Sequence, residues 1–245
     1  MESVPSASTV LQLASTGKLR VAINFGNAIL VHRDAAGQPA GVSIDLAREL
    51  ARRLGVPLEF VTYDSARKVV DGVKGGAWDV AFLAIDPARA VDIDYTAPYV
   101  VIEGAYLVRK DSRLAVNDQV DGPGTRVVVA NGSAYDLFLS RELKQATLVR
   151  VPTSQEVVDQ FVAQSLDVAA GVKQQLESDA RRIPGLRLLP GRFMAIKQAM
   201  GMPRGRDAAL RWLRDFVEAM KGSGFVSQSL ARHRIEGVSL APAAR

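Results

Sequence analysis

The sequence predicts an α/β protein in which a layered parallel sheet is built twice along the chain. Short apolar strands alternate with amphipathic helices over residues 18–85 and again over residues 125–183. The third strand of each set begins with an aspartate, Asp79 in the first and Asp167 in the second. A long extended segment follows each set, so we expect the chain to start in one lobe, visit a second lobe and return. The expected limits are 18–108 plus 192–245 for lobe 1 and 109–191 for lobe 2.

In the first set, Leu19, Val21 and Ile23 alternate as in a strand, and a turn with Gly26 follows. The segment HRDAAGQPAG is rich in turn formers and predicts a hairpin or a loop. The clearest helix follows it and covers GVSIDLARELARRLGV, where apolar residues recur at i, i+3, i+4 and i+7. We expect Ser43 or Asp45 to cap its start and Gly55 to end it. The stretch PLEFVTY then predicts a strand, ARKVVDGVKGGAWD a helix, and the apolar run from Val80 to Ile85 the third strand.

The segment after Pro98, YVVIEGAYLVRKD, is about twice the length of a typical strand, which is long enough to cross between lobes. The second set then repeats the order strand, helix, strand, helix, strand, helix. A second extended crossing, GRFMAIKQAMGMP, leads to a strongly amphipathic helix that we expect Asp207 to cap and to end just before Gly222. We expect that helix to pack on lobe 1.

Composition excludes several function classes. The sequence has no cysteine, only two histidines and a formal net charge of +5. Disulfides, thiolate metal sites and cysteine nucleophiles are therefore excluded, and we expect no metal and no cofactor. The scattered Lys and Arg residues do not form a nucleic-acid-binding face. No apolar run is long enough for a membrane helix, and MESVPSAS has no signal-peptide pattern, which fits a cytoplasmic protein or a mature secreted chain.

Arg89 is the first candidate site residue, because it follows the buried strand from Val80 to Ile85. Open α/β sheets bind ligands at the carboxyl ends of their strands, and a guanidinium is matched to a carboxylate or a phosphate. The alternative interpretation is a solvated arginine in a surface loop.

The ordered motifs GKLRVAINF, AGVSIDLARELARRLGVPLEFV and GGAWDVAFLAIDPARAVDIDYTAPYVVIEGAYLVRK resemble the periplasmic solute-binding proteins of ABC importers, specifically the polar amino-acid-binding family. VVVANGS and SLDVAAGV extend the resemblance to the second set. The resemblance implies a two-lobed venus-flytrap fold of type II with two hinge strands, a periplasmic location and a ligand clamped between the lobes. It also implies an ABC transporter permease as the partner, and we expect a monomer.

The resemblance assigns the ligand's α-carboxylate to Arg89 and amide and hydroxyl donors to Gly132 and Ser133. The chain departs from the family pattern where hydroxyl residues are usual, since Ala84 and Phe82 stand there. The aspartate that pairs with the ligand's ammonium is also missing; its place is Val172, followed by Lys173. An unpaired buried ammonium is costly, so these departures favour an anionic solute. Lys173 is either part of that site or a solvated helix residue.

Other candidates follow from position. Glu103 lies in an otherwise nearly uncharged strand, where it either pairs with a backbone amide or an arginine or binds the ligand. Phe25 either contacts the ligand or packs in the core, and Asp86 either positions Arg89 or faces solvent. The full set of predicted ligand-binding residues is Asn24, Phe25, Asn27, Ala84, Ile85, Asp86, Arg89, Glu103, Asn131, Gly132, Ser133 and Lys173.

The leading hypothesis is a binding protein without catalytic residues, which captures a small carboxylate-bearing solute for an ABC importer. The alternative is an enzyme on the same scaffold, because relatives of the family are dehydratases of the cyclohexadienyl or arogenate type. Their chemistry needs a positioned acid or base, and no nucleophile–base pair is evident in the sequence.

Overall fold

The computed structural model describes residues 4–244. The first three residues of MESVPSAS, the segment that was compared with a signal peptide, lie outside this range. The described chain divides into two compact units. Unit 1 comprises the chain up to Val101 and from Lys197 onward, and unit 2 comprises Ile102–Ile196. Both divisions fall inside long strands, β6 (Ile93–Arg109) and β11 (Met194–Pro203), so the two predicted crossing strands are confirmed.

Unit 1 is a sheet with helices packed against it. Besides the start of β6 and the end of β11, its elements are α1 (Ala7–Leu13), β1 (Leu19–Asn24), β2 (His32–Arg33), β3 (Pro39–Ala40), α2 (Val42–Leu54), β4 (Leu58–Tyr63), α3 (Ala66–Lys74), β5 (Val80–Ala84), α7 (Asp207–Gly222), α8 (Phe225–Arg232) and β12 (Ser239–Leu240). Strand β1 lies between β4 and β5 and is parallel to both, while β11 is antiparallel to β5. The parallel sheet is as predicted, and of the two predicted alternatives, a hairpin or a loop, the structure has the β2–β3 hairpin.

Two apolar layers hold unit 1 together. The larger layer packs α2, α7 and α8 against one face of the strands and includes Leu50, Leu213 and Val217, all fully buried. The smaller layer packs α3 against other strand residues around the fully buried Trp78, whose indole Nε1 donates to the Val69 carbonyl at 2.9 Å. The amphipathic stripe of α7 therefore packs on unit 1, as its pattern indicates.

The predicted helix caps were partly wrong. Helix α2 begins after Gly41, and Ser43 lies inside the helix, where its hydroxyl pairs with that of Tyr99 at 3.2 Å. Asp45 accepts hydrogen bonds from Ser229 and His233 of the C-terminal region instead of capping. Similarly, α7 is preceded by Arg206 and runs through Gly222; Asp207 is in its first turn without a capping bond. Ser43 and Asp45 have hydrogen-bond partners that are distant in sequence, which local capping rules do not consider.

Gly41 is required by the backbone at the start of α2. Its φ of 119° and ψ of 177° are essentially restricted to glycine, and a Cβ there would lie 2.4 Å from the Leu30 carbonyl oxygen. We expect Gly41→Ala to lower the free energy of unfolding by about 3 kcal/mol. Gly37→Ala is the matched control, since Gly37 has φ of 77° but open space around it, and we expect a loss of about 1 kcal/mol. Equal losses in urea unfolding would contradict this account.

Unit 2 repeats the same arrangement on a smaller scale. Besides the rest of β6 and the start of β11, its elements are β7 (Arg126–Ala130), α4 (Ala134–Glu142), β8 (Thr147–Val151), α5 (Val157–Ala163), β9 (Val168–Val172), α6 (Lys173–Arg182) and β10 (Leu186–Leu188), with short 3-10 turns at Asn117–Gln119 and Ser154–Glu156. Strand β7 is central and parallel to both β8 and β9, and β9 pairs antiparallel with β6.

Each unit contains the same arginine–aspartate pair at the start of its first strand. In unit 1 the Arg20 backbone N–H and Nε donate to Asp79 Oδ2 at 3.1 and 3.0 Å. In unit 2 the Arg126 backbone N–H and Nε donate to Asp167 Oδ2 at 2.8 and 3.0 Å. The repeat of Asp79 and Asp167 in the sequence therefore corresponds to a repeated contact. The environments differ, because the Asp79 side chain is 0% exposed and that of Asp167 is 42% exposed.

Candidate functional site

In unit 1, most of the predicted site residues lie at one edge of the sheet. Strands β4, β1 and β5 are neighbours and run parallel, with Asn24 opposite Tyr63 in the register. Their carboxyl ends therefore meet, and the residues that follow β1 and β5 are close in space. Asn24 ends β1 and is followed by Phe25 and Asn27, and Ala84 ends β5 and is followed by Ile85, Asp86 and Arg89.

Arg89 is the central charged group of this edge. Its residue is only 3% exposed, and its Nη1 donates to the Ala84 carbonyl at 3.0 Å, so the side chain turns back toward the end of β5. Burial lowers the pKa of the Arg89 guanidinium, while the charges of Tyr95 and Asp86 act in the opposite direction. A buried cation is stabilised by a nearby anion, because the anion offsets the cost of removing the guanidinium from water. The interpretation as a solvated loop arginine does not fit this burial.

Asp86 organises the turn that carries Arg89. Its Oδ1 accepts the Ala88 N–H at 2.8 Å, and its backbone carbonyl accepts the N–H groups of Arg89 and Ala90. The residue is 4% exposed, and its charge acts on Arg89. The alternative in which Asp86 faces solvent is therefore excluded, and its side chain helps to position Arg89.

Tyr95, on β6, was not identified from the sequence. Burial raises its pKa to about 12, and the nearby Arg89 charge lowers that pKa, so the two groups interact electrostatically. Its hydroxyl is buried and has no hydrogen-bond partner within residues 4–244. A buried hydroxyl without a hydrogen-bond partner lowers the free energy of unfolding by about 1–3 kcal/mol. A ligand or a water molecule that pairs with the hydroxyl would remove this loss. The only feature of the sequence that relates the two residues is a spacing of six positions, which is too common to predict a site residue.

The three predicted site residues at the end of β1 have different environments. Asn24 Oδ1 accepts the Gly26 N–H at 2.9 Å and so holds the turn. Asn27 Oδ1 is buried and has no partner in the part of the chain that the structure describes. Phe25 is partly buried against the larger apolar layer, and the Arg33 guanidinium lies 4.2 Å from its ring centroid. Of the three, Asn27 has the polar atom that a ligand would satisfy.

A cavity of about 450 Å³ opens beside Phe25 in unit 1. It is lined by Phe25, Ala28, Val31, His32, Arg33, Thr62, Tyr63 and Asp64. The lining therefore includes the aromatic side chains of Phe25 and Tyr63, a cation (Arg33) and an anion (Asp64). The volume of the cavity is within the range of small-molecule sites. Tyr63 and Asp64 of its wall were not among the predicted residues, although they end β4 as Phe25 follows β1.

Phe82 and Ala84 stand at the two positions where the family usually has hydroxyl residues. Phe82 is 5% exposed and packs edge-to-face on Tyr99 with ring centroids 5.8 Å apart. Ala84 offers a carbonyl that Arg89 uses, and Ile85 is 38% exposed. Phe82 therefore packs in the core and offers no hydrogen bond to a ligand, unlike the hydroxyl residue that is usual at this position in the family.

In unit 2, the predicted residues also lie at the carboxyl ends of neighbouring strands. The β7–β9 register places the turn Asn131 to Ser133 beside the end of β9, which Lys173 follows. The Gly132 N–H donates to Asp136 Oδ2 at 2.8 Å, and Ser133 Oγ accepts the Asp136 N–H at 3.0 Å. Both residues therefore support the start of α4, and their roles as ligand donors stay predictions.

Glu103 and Lys173 form a direct ion pair in unit 2. Glu103 Oε2 lies 3.0 Å from Lys173 Nζ, and Oε1 lies 3.1 Å from Nη1 of Arg192. The Lys173 hydrogen bond lowers the pKa of Glu103, and Arg192 adds to this effect while burial opposes it. The alternative in which Glu103 pairs with an arginine is thus confirmed in part. Arg192 was missed, because nothing in the sequence relates it to Glu103.

Residues 4–244 contain no group of three or more His, Cys, Asp or Glu side chains arranged to hold a metal ion. None of the described helices combines the length and the apolar character needed to span a membrane.

The comparison with protein families identifies the chain. Residues 19–234 match the bacterial extracellular solute-binding proteins, family 3. The chain belongs to this family. The match covers most of both units, so the resemblance inferred from the sequence motifs is confirmed.

Individual relatives are distant in sequence. The chain is 24% identical over 226 residues to a cyclohexadienyl dehydratase of Pseudomonas aeruginosa, covering 89% of this chain and 83% of that protein. The solute receptor for L-cysteine of Neisseria gonorrhoeae is 21% identical with a TM-score of 0.81, covering 97% and 100% of the two chains. An amino acid ABC transporter substrate-binding protein from Streptococcus pneumoniae, bound to L-arginine, is 20% identical with a TM-score of 0.77, covering 95% and 99%.

These structural likenesses confirm the predicted fold class. The family-3 chain has the type II periplasmic-binding-protein fold, with parallel and antiparallel strand pairs in each unit and two crossing strands. The two structural relatives described above bind amino acids, whereas the relative from Pseudomonas aeruginosa is an enzyme. Ligand binding is thus the property to which the family points.

Proposed function

We propose that this chain is an extracytoplasmic solute-binding protein that captures a small anionic solute, an amino-acid-like compound or another carboxylate, for an ABC importer. Its proposed partners are the solute and a transporter permease, and we propose that it acts as a monomer in the periplasm. Family membership supports the class of function, and the site residues support the choice of solute.

Arg89 is the observation that carries the proposal. Its guanidinium is buried at the carboxyl end of β5, where ligands bind in sheets of this kind. Burial makes the cation more costly, and a carboxylate from the solute would offset that cost through charge-assisted hydrogen bonds. Asp86 keeps the turn in place from the backbone side.

Asn27 supports a ligand at the same edge. Asn27 Oδ1 is a buried acceptor that an N–H or O–H of the solute would satisfy. The cavity beside Phe25 has neither Arg89 nor Asn27 in its lining, so the proposal does not rest on it. The absence of a carboxylate at Val172 argues against a plain α-amino acid held by its ammonium group, because that cation would be unpaired.

A thermal-shift screen tests the proposal. The panel contains acidic, neutral and basic amino acids together with simple mono- and dicarboxylates. We expect carboxylates with net negative charge to raise the melting temperature most, since a ligand that binds the folded state stabilises it by RT ln(1 + L/Kd), where L is the free ligand concentration, a quantity that increases as Kd falls. Greatest stabilisation by arginine or glutamine would contradict the anionic preference, and no stabilisation by any carboxylate would contradict the function.

An enzyme on the same scaffold is the second candidate, favoured by the relative that is a cyclohexadienyl dehydratase. Glu103 is the carboxylate suited to acid–base chemistry, but its pKa is lowered by Lys173 and Arg192, which disfavours the protonated form that a general acid needs. A turnover assay with prephenate and arogenate distinguishes the two functions. We expect no product above the uncatalysed background.

A further inference from the structure

Tyr95 differs from two other buried tyrosines in how its hydroxyl is used. The Tyr99 hydroxyl lies 3.2 Å from Ser43 Oγ. The Tyr135 hydroxyl donates to Ser154 Oγ at 3.1 Å. The Tyr95 hydroxyl is buried as well but has no hydrogen-bond partner in the part of the chain that the structure describes. Since a phenylalanine would fill the same space without a buried polar atom, packing explains the ring of Tyr95 and not its hydroxyl.

The surrounding residues hold the Tyr95 ring in one place. The ring packs against the smaller apolar layer of unit 1. A Cβ at Gly201 of β11 would lie 2.7 Å from Ile93 Cγ2 and 3.2 Å from Tyr95 Cε1, so the glycine leaves room for the ring. The backbone is anchored too, because Arg214 Nε of α7 donates to the Tyr95 carbonyl at 3.3 Å. The hydroxyl is therefore presented from a fixed ring.

The turn after β5 brings Arg89 into the neighbourhood of this hydroxyl. The Arg89 carbonyl accepts the N–H groups of Asp92 and Ile93 at 3.2 and 3.1 Å, which folds the turn back onto the start of β6, two residues before Tyr95. Burial lowers the pKa of Arg89 and raises that of Tyr95, and the charge of each group opposes this effect on the other. The two side chains therefore lie within electrostatic reach of each other.

The charge of Arg89 favours the Tyr95 hydroxyl as a donor. Because burial raises the pKa of Tyr95 to about 12, the hydroxyl keeps its proton at neutral pH. A nearby cation attracts the oxygen of a hydroxyl and repels its hydrogen, so the O–H is directed away from the guanidinium. Asp86 also acts on both groups, but it accepts no hydrogen bond from Tyr95. An anion that Arg89 attracts from solution would supply the acceptor for this donor.

We propose that the Tyr95 hydroxyl donates a hydrogen bond to the solute carboxylate that Arg89 binds, and that Tyr95 is therefore a determinant of solute affinity. The inference rests on the proposed function, which assigns that carboxylate to Arg89. Both residues belong to unit 1. The bond pairs a donor that is otherwise buried without a partner, so solute binding removes a cost that the solute-free protein bears. The same hydroxyl thus lowers the stability of the solute-free protein and raises its affinity.

Tyr95→Phe tests both effects, because it removes the oxygen and leaves the ring. Calorimetry measures the affinity for L-aspartate, L-glutamate, acetate, succinate and glutarate, together with any other carboxylate that the thermal-shift panel identifies. Urea unfolding without solute measures stability. We expect at least tenfold weaker binding of every probe that the wild type binds, with an unfolding midpoint that is unchanged or higher. A hydroxyl with a purely structural role would give the opposite result, a lower midpoint with unchanged affinity.

Tyr99→Phe is the matched control, since it makes the same change four residues further along β6. The Tyr99 hydroxyl is paired with Ser43, so we expect a lower unfolding midpoint with unchanged affinity. Unchanged affinity in Tyr95→Phe, a lower midpoint in that variant, or equal loss of affinity in both variants would overturn the role of Tyr95 alone. A wild-type protein that binds none of the five probes nor any other carboxylate of the panel would overturn the proposed function as well.

Discussion

Replacing Arg20 with alanine is expected to lower the free energy of unfolding by about 3–5 kcal/mol. The substitution leaves the Asp79 carboxylate, 0% exposed, without the side chain that donates to both of its oxygens. Arg206 lies 3.5 Å from Asp79 and compensates only part of the loss. The pKa of Arg20 is raised, chiefly by its hydrogen bond to Asp79, so the contact favours the charged form of Arg20. Urea unfolding measures the effect.

Arg126→Ala provides the internal control for this prediction. It removes the equivalent contact from unit 2, but both partners there are more than 40% exposed, and an exposed ion pair contributes less than about 1 kcal/mol. The two variants therefore remove the same guanidinium group from equivalent contacts, and they differ in how buried the aspartate partner is. A loss for Arg126→Ala as large as that for Arg20→Ala would show that burial of Asp79 is not the cause.

Replacing Arg89 with glutamine is expected to weaken solute binding about 100-fold. Glutamine keeps a hydrogen-bond donor but loses the positive charge and the bidentate arrangement of N–H donors that match a carboxylate. Because Arg89 also donates to the Ala84 carbonyl, we expect a stability loss of about 1–3 kcal/mol beside the affinity loss. Calorimetry on the folded variant, checked by circular dichroism, separates the two effects.

Arg109→Gln controls for the structural part of that change. Arg109 likewise donates to backbone carbonyls, those of Leu166 and Phe161, and its guanidinium lies 4.5 Å from the Phe161 ring centroid. It is not a predicted site residue, so we expect lower stability with unchanged affinity. If both variants reduced affinity equally, the effect of Arg89 would be attributable to general destabilisation.

The fold was largely predictable because hydrophobic periodicity reports burial directly. The apolar stripe of α2 and the third strand of each set, which begins directly after Asp79 or Asp167, follow from residue spacing alone. The helix caps were less predictable, since Ser43 and Asp45 are used by Tyr99, Ser229 and His233, more than 50 positions away. Capping rules consider only the neighbouring residues.

The placement of the candidate site residues was predictable where it depends on position along one strand, and it was not predictable where it depends on the register between strands. Arg89 and Lys173 follow strand ends that are visible in the sequence. The Glu103–Lys173 contact depends on pairing between β6 and β9, and Arg192 reaches Glu103 across 89 positions. Tyr95 was missed for a similar reason, because its interaction with Arg89 depends on how the turn folds back.

Recovery of the bound solute tests the central claim most directly. The protein is dialysed to equilibrium against the carboxylate that stabilises it most, and the bound fraction is then released and analysed by mass spectrometry. The account predicts one solute per chain, recovered chemically unchanged, and about 100-fold less in Arg89→Gln at subsaturating concentration. Recovery of a converted product, or equal loading of the wild-type and Arg89→Gln proteins, would contradict it.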